Sequence, residues 1–207
     1  ATNEFLGGDV HKLVSLHLGS GASLCAIEDG KCMDTTMGLT PLDGLIMGTR
    51  CGTLDPATVF FLSREGGYSI DEIDTMMNKQ SGMLAVSGVS SDSRDIEAGA
   101  ENGDENCKMA LEMFYYRTAQ LTSEMVCSME GVDTMVFTAG IGENSAEMRQ
   151  GVADRLAWLG VQIDPELNAI RSGEPRVIST PDSKIRVLVV PTNEEYMIAL
   201  DVADLLG

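Results

Sequence analysis

The sequence predicts an α/β layered fold, and three observations carry that expectation. Short apolar runs bounded by turn residues (Leu13–Leu18, Ser23–Glu28, Thr134–Thr138 and Ile185–Val190) read as strands. Longer stretches with apolar residues three and four apart read as amphipathic helices. Two strand–turn–helix units fall late in the chain, and such units set helices against a sheet.

In chain order, residues 1–9 carry no convincing cap or complete element. Leu13–Leu18 is a strand entering a Gly turn, and Ser23–Glu28 is a second strand. Asp29-Gly30 then follows, a dipeptide that favours the tight hairpin turn. Asp55-Pro56 places a cap before a proline at the first helical position, for a helix reaching about Arg64 and stopping at Gly66-Gly67. Ser69 and Glu72 form a capping box for a helix over Ile70–Lys79. From Glu105 to Met129, the residues Cys107, Leu111, Phe114, Thr118, Leu121, Met125 and Met129 recur at steps of three and four, one face of a long helix. Thr134–Thr138 is a strand of the buried type, and Gly140–Glu143 a tight turn. Asn144 with Glu147 is expected to cap a helix to about Leu159, and Thr192 with Glu195 to box the start of a last helix reaching Leu206.

Composition narrows the function. The chain has 207 residues with Lys+Arg 14 against Asp+Glu 32, a formal net charge of −18. That balance argues against a broad nucleic-acid or anionic-membrane surface, since both need clustered Lys and Arg. A phosphate ligand would have to be met locally, by backbone amides, a few Arg and a metal. No apolar run approaches the ~20 residues of a membrane span and no signal peptide opens the chain, so a cytoplasmic protein is expected. The five cysteines are odd in number, and none forms a C-x-x-C pair; they read as reduced thiols. Two His, His11 and His17, make a His-rich metal site a poor expectation. The 13 Met read as core filler.

Four constellations can carry chemistry. His17-Leu18-Gly19-Ser20-Gly21 follows a strand, and paired glycines let backbone amides cradle phosphate oxygens. A plain hairpin turn competes with that reading. Arg50, in Met47-Gly48-Thr49-Arg50-Cys51-Gly52, offers a planar guanidinium to carboxylate or phosphoryl oxygens; the competing reading pairs it with a surface carboxylate. Phe137-Thr138-Ala139-Gly140-Ile141-Gly142-Glu143-Asn144 ends a strand in glycines at a helix start, where a nucleotide can lie against backbone. Glu194, in Pro191-Thr192-Asn193-Glu194-Glu195, is an acid at a strand's carboxyl end, either a partner for Mg²⁺ or a solvated helix-terminal Glu.

Together and in this order, these residues resemble the acetate kinase family. The resemblance rests on His17–Ser23, Asp34-Thr35-Thr36-Met37-Gly38, Thr40-Pro41-Leu42, Met47–Gly52 with Asp55-Pro56, Phe137–Asn144 and Pro191–Glu195. It implies the ribonuclease-H-like, actin-like ATPase fold shared with sugar kinases and heat-shock chaperones. It also implies a reversible ATP:carboxylate phosphotransferase that makes acetyl phosphate and ADP with Mg²⁺. By that resemblance, Arg50 and His17 are catalytic. Gly19, Ser20 and Gly21 lie beside the ATP phosphates, and Glu194 helps hold Mg²⁺. Gly140, Ile141 and Asn144 line the adenosine pocket, with Asp92, Ser93 and Arg94 as a second wall. The whole of residues 1–207 then reads as the family's C-terminal nucleotide-binding domain, a homodimer through this domain, with the N-terminal domain absent and isolated activity slight.

Three positions depart from the family pattern. Ser20 replaces the Asn of Gly-Asn-Gly, keeping a hydroxyl and losing the longer amide reach; Ala85 stands for Gly and Thr36 for Ser. The acyl pocket lies mostly in the family's other half, leaving propionate or butyrate as alternative acids. A non-catalytic nucleotide-binding module of the same fold is the other alternative.

Overall fold

The computed structural model describes residues 2–206. Its elements in order are α1 (Thr2–Phe5), β1 (Lys12–Leu18), β2 (Ala22–Glu28), β3 (Lys31–Thr35), α2 (Ala57–Arg64), α3 (Ile70–Lys79), α4 (Gly82–Ser87), α5 (Ser93–Glu101) and α6 (Glu105–Ser128). They continue with β4 (Thr134–Thr138), α7 (Ala139–Asn144), α8 (Ala146–Arg155), a 3₁₀ turn (Ala157–Leu159), α9 (Pro165–Ala169), β5 (Arg176–Val177), β6 (Arg186–Val189) and α10 (Glu194–Leu206). Among the described residues no helix is long and apolar enough to cross a membrane.

The strands form one sheet of order β3-β2-β1-β4-β6-β5. β1, β2 and β3 pair antiparallel, while β4 lies parallel to β1 and β6 parallel to β4. An antiparallel meander continued by parallel strands is the ribonuclease-H-like arrangement that the resemblance implied. The Asp29-Gly30 turn adopts the positive φ values, 47° and 78°, that a tight hairpin needs. Alternation along β1 and β2 puts Val14, Leu16, Leu18, Ala22, Leu24 and Ala26 on the core face. β4 is central, so Met135 and Phe137 on one face and Val136 on the other are all buried.

The long helix α6 covers the core face, burying Cys107, Leu111, Phe114, Thr118, Leu121 and Met125, with Met129 just beyond its end. This is the stripe that the periodicity predicted. Asp104 caps it, its Oδ1 accepting from the Asn106 and Cys107 amides. The capping box of α3 is present in both directions, and Asp55 Oδ1 accepts from the Ala57 amide at the start of α2. All five cysteines are free.

Four local expectations are corrected. A single helical turn, α1, occupies residues expected to lack an element. Gly140–Glu143 is not a turn but the middle of α7, which springs directly from β4. Asn144 does not cap α8: its side-chain amide turns back to the Gly140 carbonyl (2.9 Å), and Ser145 caps instead, accepting from the Met148 amide at 3.0 Å. Thr192 and Glu195 do not box α10. Thr192 donates its amide (2.8 Å) and hydroxyl (3.0 Å) to Glu143 Oε1, so the cap passes to Asn193, whose Oδ1 accepts from the Tyr196 amide at 3.2 Å.

Candidate functional site

The carboxyl ends of β1, β4 and β6 open on one edge, and the predicted residues gather there. The β1–β2 turn is tight, with the Gly19 amide donating to the Gly21 carbonyl at 3.0 Å. Arg50 stands against it: a Cβ added to Gly21 would lie 3.2 Å from Arg50 Nη1. Glycine is what lets the guanidinium approach the turn this closely.

Arg50 is held by a strapped loop. Its Nη1 donates to the Pro41 carbonyl at 3.0 Å, and among the described residues its guanidinium has no carboxylate partner. The Gly48 amide donates to the Ser20 carbonyl (3.1 Å), tying this loop to the glycine turn. The amides of Met83 and Leu84 donate to Met47 and Gly48 carbonyls at 2.8 and 2.9 Å, so the first turn of α4 clamps it from below. Gly82 makes that docking possible: its φ is +66°, and a Cβ there would fall 2.2 Å from the Met47 carbonyl oxygen.

At the end of β1, His17 Nε2 lies 3.7 Å from Glu194 Oε1, with the side chains 38% and 72% exposed. This pair joins β1 to the start of α10 and faces solvent beside the glycine turn. Among the described residues no group of three or more His, Cys, Asp or Glu could hold a metal ion unaided. A single exposed carboxylate suits Mg²⁺, which keeps several waters and takes further oxygens from a bound phosphate.

Beside the turn lies a cavity of about 640 Å³. Gly19 and Ser20 form one side, Ser91–Arg94 and Glu97 a second, Gly140, Ile141, Asn144 and Ser145 a third, and Arg171 completes the lining. The structure therefore brings together Gly19, Ser20, Asp92, Ser93, Arg94, Gly140, Ile141 and Asn144, and leaves Gly21, Arg50, His17 and Glu194 outside the lining, with Arg50 against Gly21 and His17 beside Glu194. Sequence reasoning missed Ser91, Glu97, Ser145 and Arg171. Ser91 could have been found from its place in the Ser-Asp-Ser-Arg run; Arg171, in a loop after α9, carries no local signal.

The wall residues are set by specific contacts. Asp92 caps α5 by accepting from the Arg94 amide at 3.0 Å, and takes the Arg94 guanidinium through Nε (3.0 Å) and Nη2 (2.6 Å). Those bonds hold the Asp92 carboxyl down at about 2 and raise Arg94. Glu97, half-buried, accepts from the Ser145 hydroxyl, yet burial outweighs that bond and pushes its pKa up. The other wall is held from behind by Arg149, 1% exposed. Its guanidinium donates to the carbonyls of Gly142 (2.8 Å), Glu143 (3.0 Å) and Asn168 (2.6 Å) and to Asn168 Oδ1 (2.7 Å). Burial, with Arg176 nearby, brings it down to about 10, still charged at neutral pH.

Residues 2–200 match the model of the acetokinase family. The chain belongs to the acetokinase family. It is 50% identical over 205 residues to an acetate kinase of Clostridium botulinum, an alignment covering 98% of this chain and 51% of that protein. Its structure superposes on Porphyromonas gingivalis acetate kinase with a TM-score of 0.93 at 42% identity, covering all of this chain and 52% of that one. A propionate kinase from Francisella tularensis aligns with a TM-score of 0.89 at 41% identity, covering 95% and 50%. The chain thus spans about half the length of the curated relatives it matches.

Proposed function

We propose that this acetokinase chain is the C-terminal, nucleotide-binding half of a kinase that transfers the γ-phosphoryl group of ATP reversibly to acetate. The observation that carries the reading is the continuity of the site: a cavity lined by Gly19 and Ser20 of the glycine turn and an unpaired guanidinium against Gly21 of the same turn. The adenosine lies in the cavity between Ile141 and the Arg94 wall, and the phosphates run along the turn toward Arg50. The Ser20 hydroxyl supplies one donor on the way.

Transfer requires a carboxylate oxygen to bond to the γ-phosphorus as the bond to the ADP oxygen breaks, in line, with charge spread over the equatorial oxygens. Arg50 steadies that charge and orients the carboxylate through paired N–H donors. Its preorganisation by the Pro41 carbonyl and the strapped loop avoids reorganisation during the step. His17 donates to a phosphoryl oxygen. Glu194 fits as a carboxylate partner of Mg²⁺, and the ion when bound neutralises phosphate charge. The acid is completed by the part of the relatives' length that this chain does not span, so residues 1–207 alone give little acyl phosphate. The F. tularensis propionate kinase supports propionate as the second choice of acid. The exposed Tyr116 and Trp158 offer an apolar face for a homodimer, and ATP as substrate suits the cytoplasm.

Calorimetric titration of residues 1–207 with Mg²⁺-ATP tests the reading. Saturable heat at millimolar nucleotide or below is expected, and Ile141→Glu, which puts a charge in the cavity, should abolish it. A chain that gives no heat, or an Ile141→Glu variant that binds as well as the parent, overturns the nucleotide site.

A further inference from the structure

On the edge of the sheet away from β4, β2 and β3 carry two thiols in contact. Cys25 Sγ lies 3.2 Å from Cys32 Sγ, inside the van der Waals separation of two sulfurs. The register explains the approach. Cys25 pairs with Thr35 and Ile27 with Cys32, so both cysteines point to the same face as diagonal neighbours. A bulge between Ala26 and Ile27 distorts the ladder between them. Their remaining contacts are long ones to nearby carbonyls, Ala26 at 3.7 Å and Asp34 at 3.6 Å, so neither thiol is committed elsewhere. The other three cysteines lie on other elements: Cys107 is buried in the first turn of α6, Cys51 is on the Arg50 loop and Cys127 is near the end of α6. Nothing in the phosphotransfer site uses this pair.

We propose that Cys25 and Cys32 are a reversible oxidation site, closing to an intrachain disulfide by exchange with a low-molecular-weight disulfide of the glutathione type. Cys32 is exposed and attacks first. Its thiolate bonds to one sulfur of the small disulfide, the S–S bond breaks, and one small thiolate leaves. Cys25 then gives its proton to solvent and attacks Cys32 Sγ, expelling the second small thiolate. The protein loses two electrons and two protons, and the small disulfide is reduced to two thiols. Cys25, half-buried beside Cys32 and Asp34 and pushed up to about 12, is a poor initiating nucleophile, and its 3.2 Å distance to Cys32 Sγ is what places it to resolve. The loop it closes is short, so the link stabilises less than one closing a long loop. It pins the edge strand β3 to β2, the strand that leads directly out of the Gly19–Gly21 turn.

Incubation of the 207-residue chain in a graded series of reduced and oxidised glutathione, followed by acid quench, alkylation and peptide mapping, tests this. The expected product has lost two hydrogens, carries a Cys25–Cys32 link, is alkylated at Cys51, Cys107 and Cys127 after unfolding, and reverts with dithiothreitol. In Cys25→Ser the reaction should stop at a glutathione adduct on Cys32, and in Cys32→Ser modification of Cys25 should slow by about tenfold or more. A wild-type chain that accumulates the Cys32 adduct, links any other cysteines, or leaves both thiols open to alkylation in fully oxidised glutathione overturns the proposal.

Discussion

Ala139 holds the junction on which one wall of the cavity turns. It follows the last residue of β4, opens α7 and sits at φ +64°, in the left-handed region, with its side chain 7% exposed. That conformation costs an L-residue about 1–2 kcal/mol. Glycine relieves it but gains about 0.5–1 kcal/mol of chain entropy in the unfolded state. Ala139→Gly should therefore stabilise the fold by roughly 0.5 kcal/mol. A urea midpoint at or below that of the parent would show that the buried methyl matters more than the strain. Asp92 makes the opposite kind of contribution. Its carboxyl is held at about 2 in the fold, against an ordinary 3.8, by the Arg94 side chain and amide. A lowered folded value gives stability that is present above the ordinary value and lost as pH falls through the folded one. The pair is exposed, 39% and 85%, so screening keeps the effect small. Asp92→Asn keeps a capping oxygen and loses the ion pair. Its deficit in melting temperature should be constant from pH 7 to about 5, shrink as pH falls through the ordinary and then the folded value, and vanish only well below 2, where the parent carboxyl is protonated too. A deficit unchanged across that range would assign the whole contribution to the cap.

At the scale of elements, α7 is where the site is built and where local sequence signals fail. Six residues cannot make a stable helix alone, and α7 persists because other groups hold its end. Arg149 on α8 binds the Gly142 and Glu143 carbonyls, and Glu143 in turn receives Thr192 ahead of α10. Arg149→Met keeps most of the packing volume and strands several buried acceptors, so a loss of about 3 kcal/mol in unfolding free energy is expected. The same variant should bind Mg²⁺-ATP more weakly at a temperature where it is still folded. An intact affinity would mean that the wall does not depend on this tie. The contrast with α6 explains what the sequence makes legible. The 24 residues of α6 bury one continuous stripe, and α3 carries its capping box within four residues, so periodicity and caps find both. The Gly19–Gly21 turn and the strand ends were legible for the same reason, since glycine and short apolar runs are local marks. Asn144 and Thr192 are capping types that bond instead to the Gly140 carbonyl and to Glu143, and Arg149 and Arg171 reach their places only through the tertiary fold. Only the Asn144 bond is local, four residues back along the chain; no spacing encodes the others.

Across the whole molecule, a net charge of −18 surrounds a site that must accept more negative charge. Within the cavity lining the cations are Arg94, already paired with Asp92, and Arg171, which shares that lining with the carboxylates of Asp92 and Glu97. Arg50, against the turn, has no carboxylate partner among the described residues. A free nucleotide triphosphate therefore meets repulsion from the acidic faces that local donors only partly offset, and neutralisation by a divalent ion removes most of it. Affinity for ATP in the presence of a chelator should then be at least about tenfold lower than for Mg²⁺-ATP at low salt. That gap should narrow as salt rises, because the Debye length falls from about 30 Å at 0.01 M to about 8 Å at 0.15 M and the distant carboxylates drop out. Direct coordination through Glu194 would behave differently, being short-range and little affected by salt. Titration at both ionic strengths with the parent and with Glu194→Gln separates the two. A gap that stays constant with salt and collapses in Glu194→Gln would place the metal's benefit in that one carboxylate and remove the field of the whole chain from nucleotide binding.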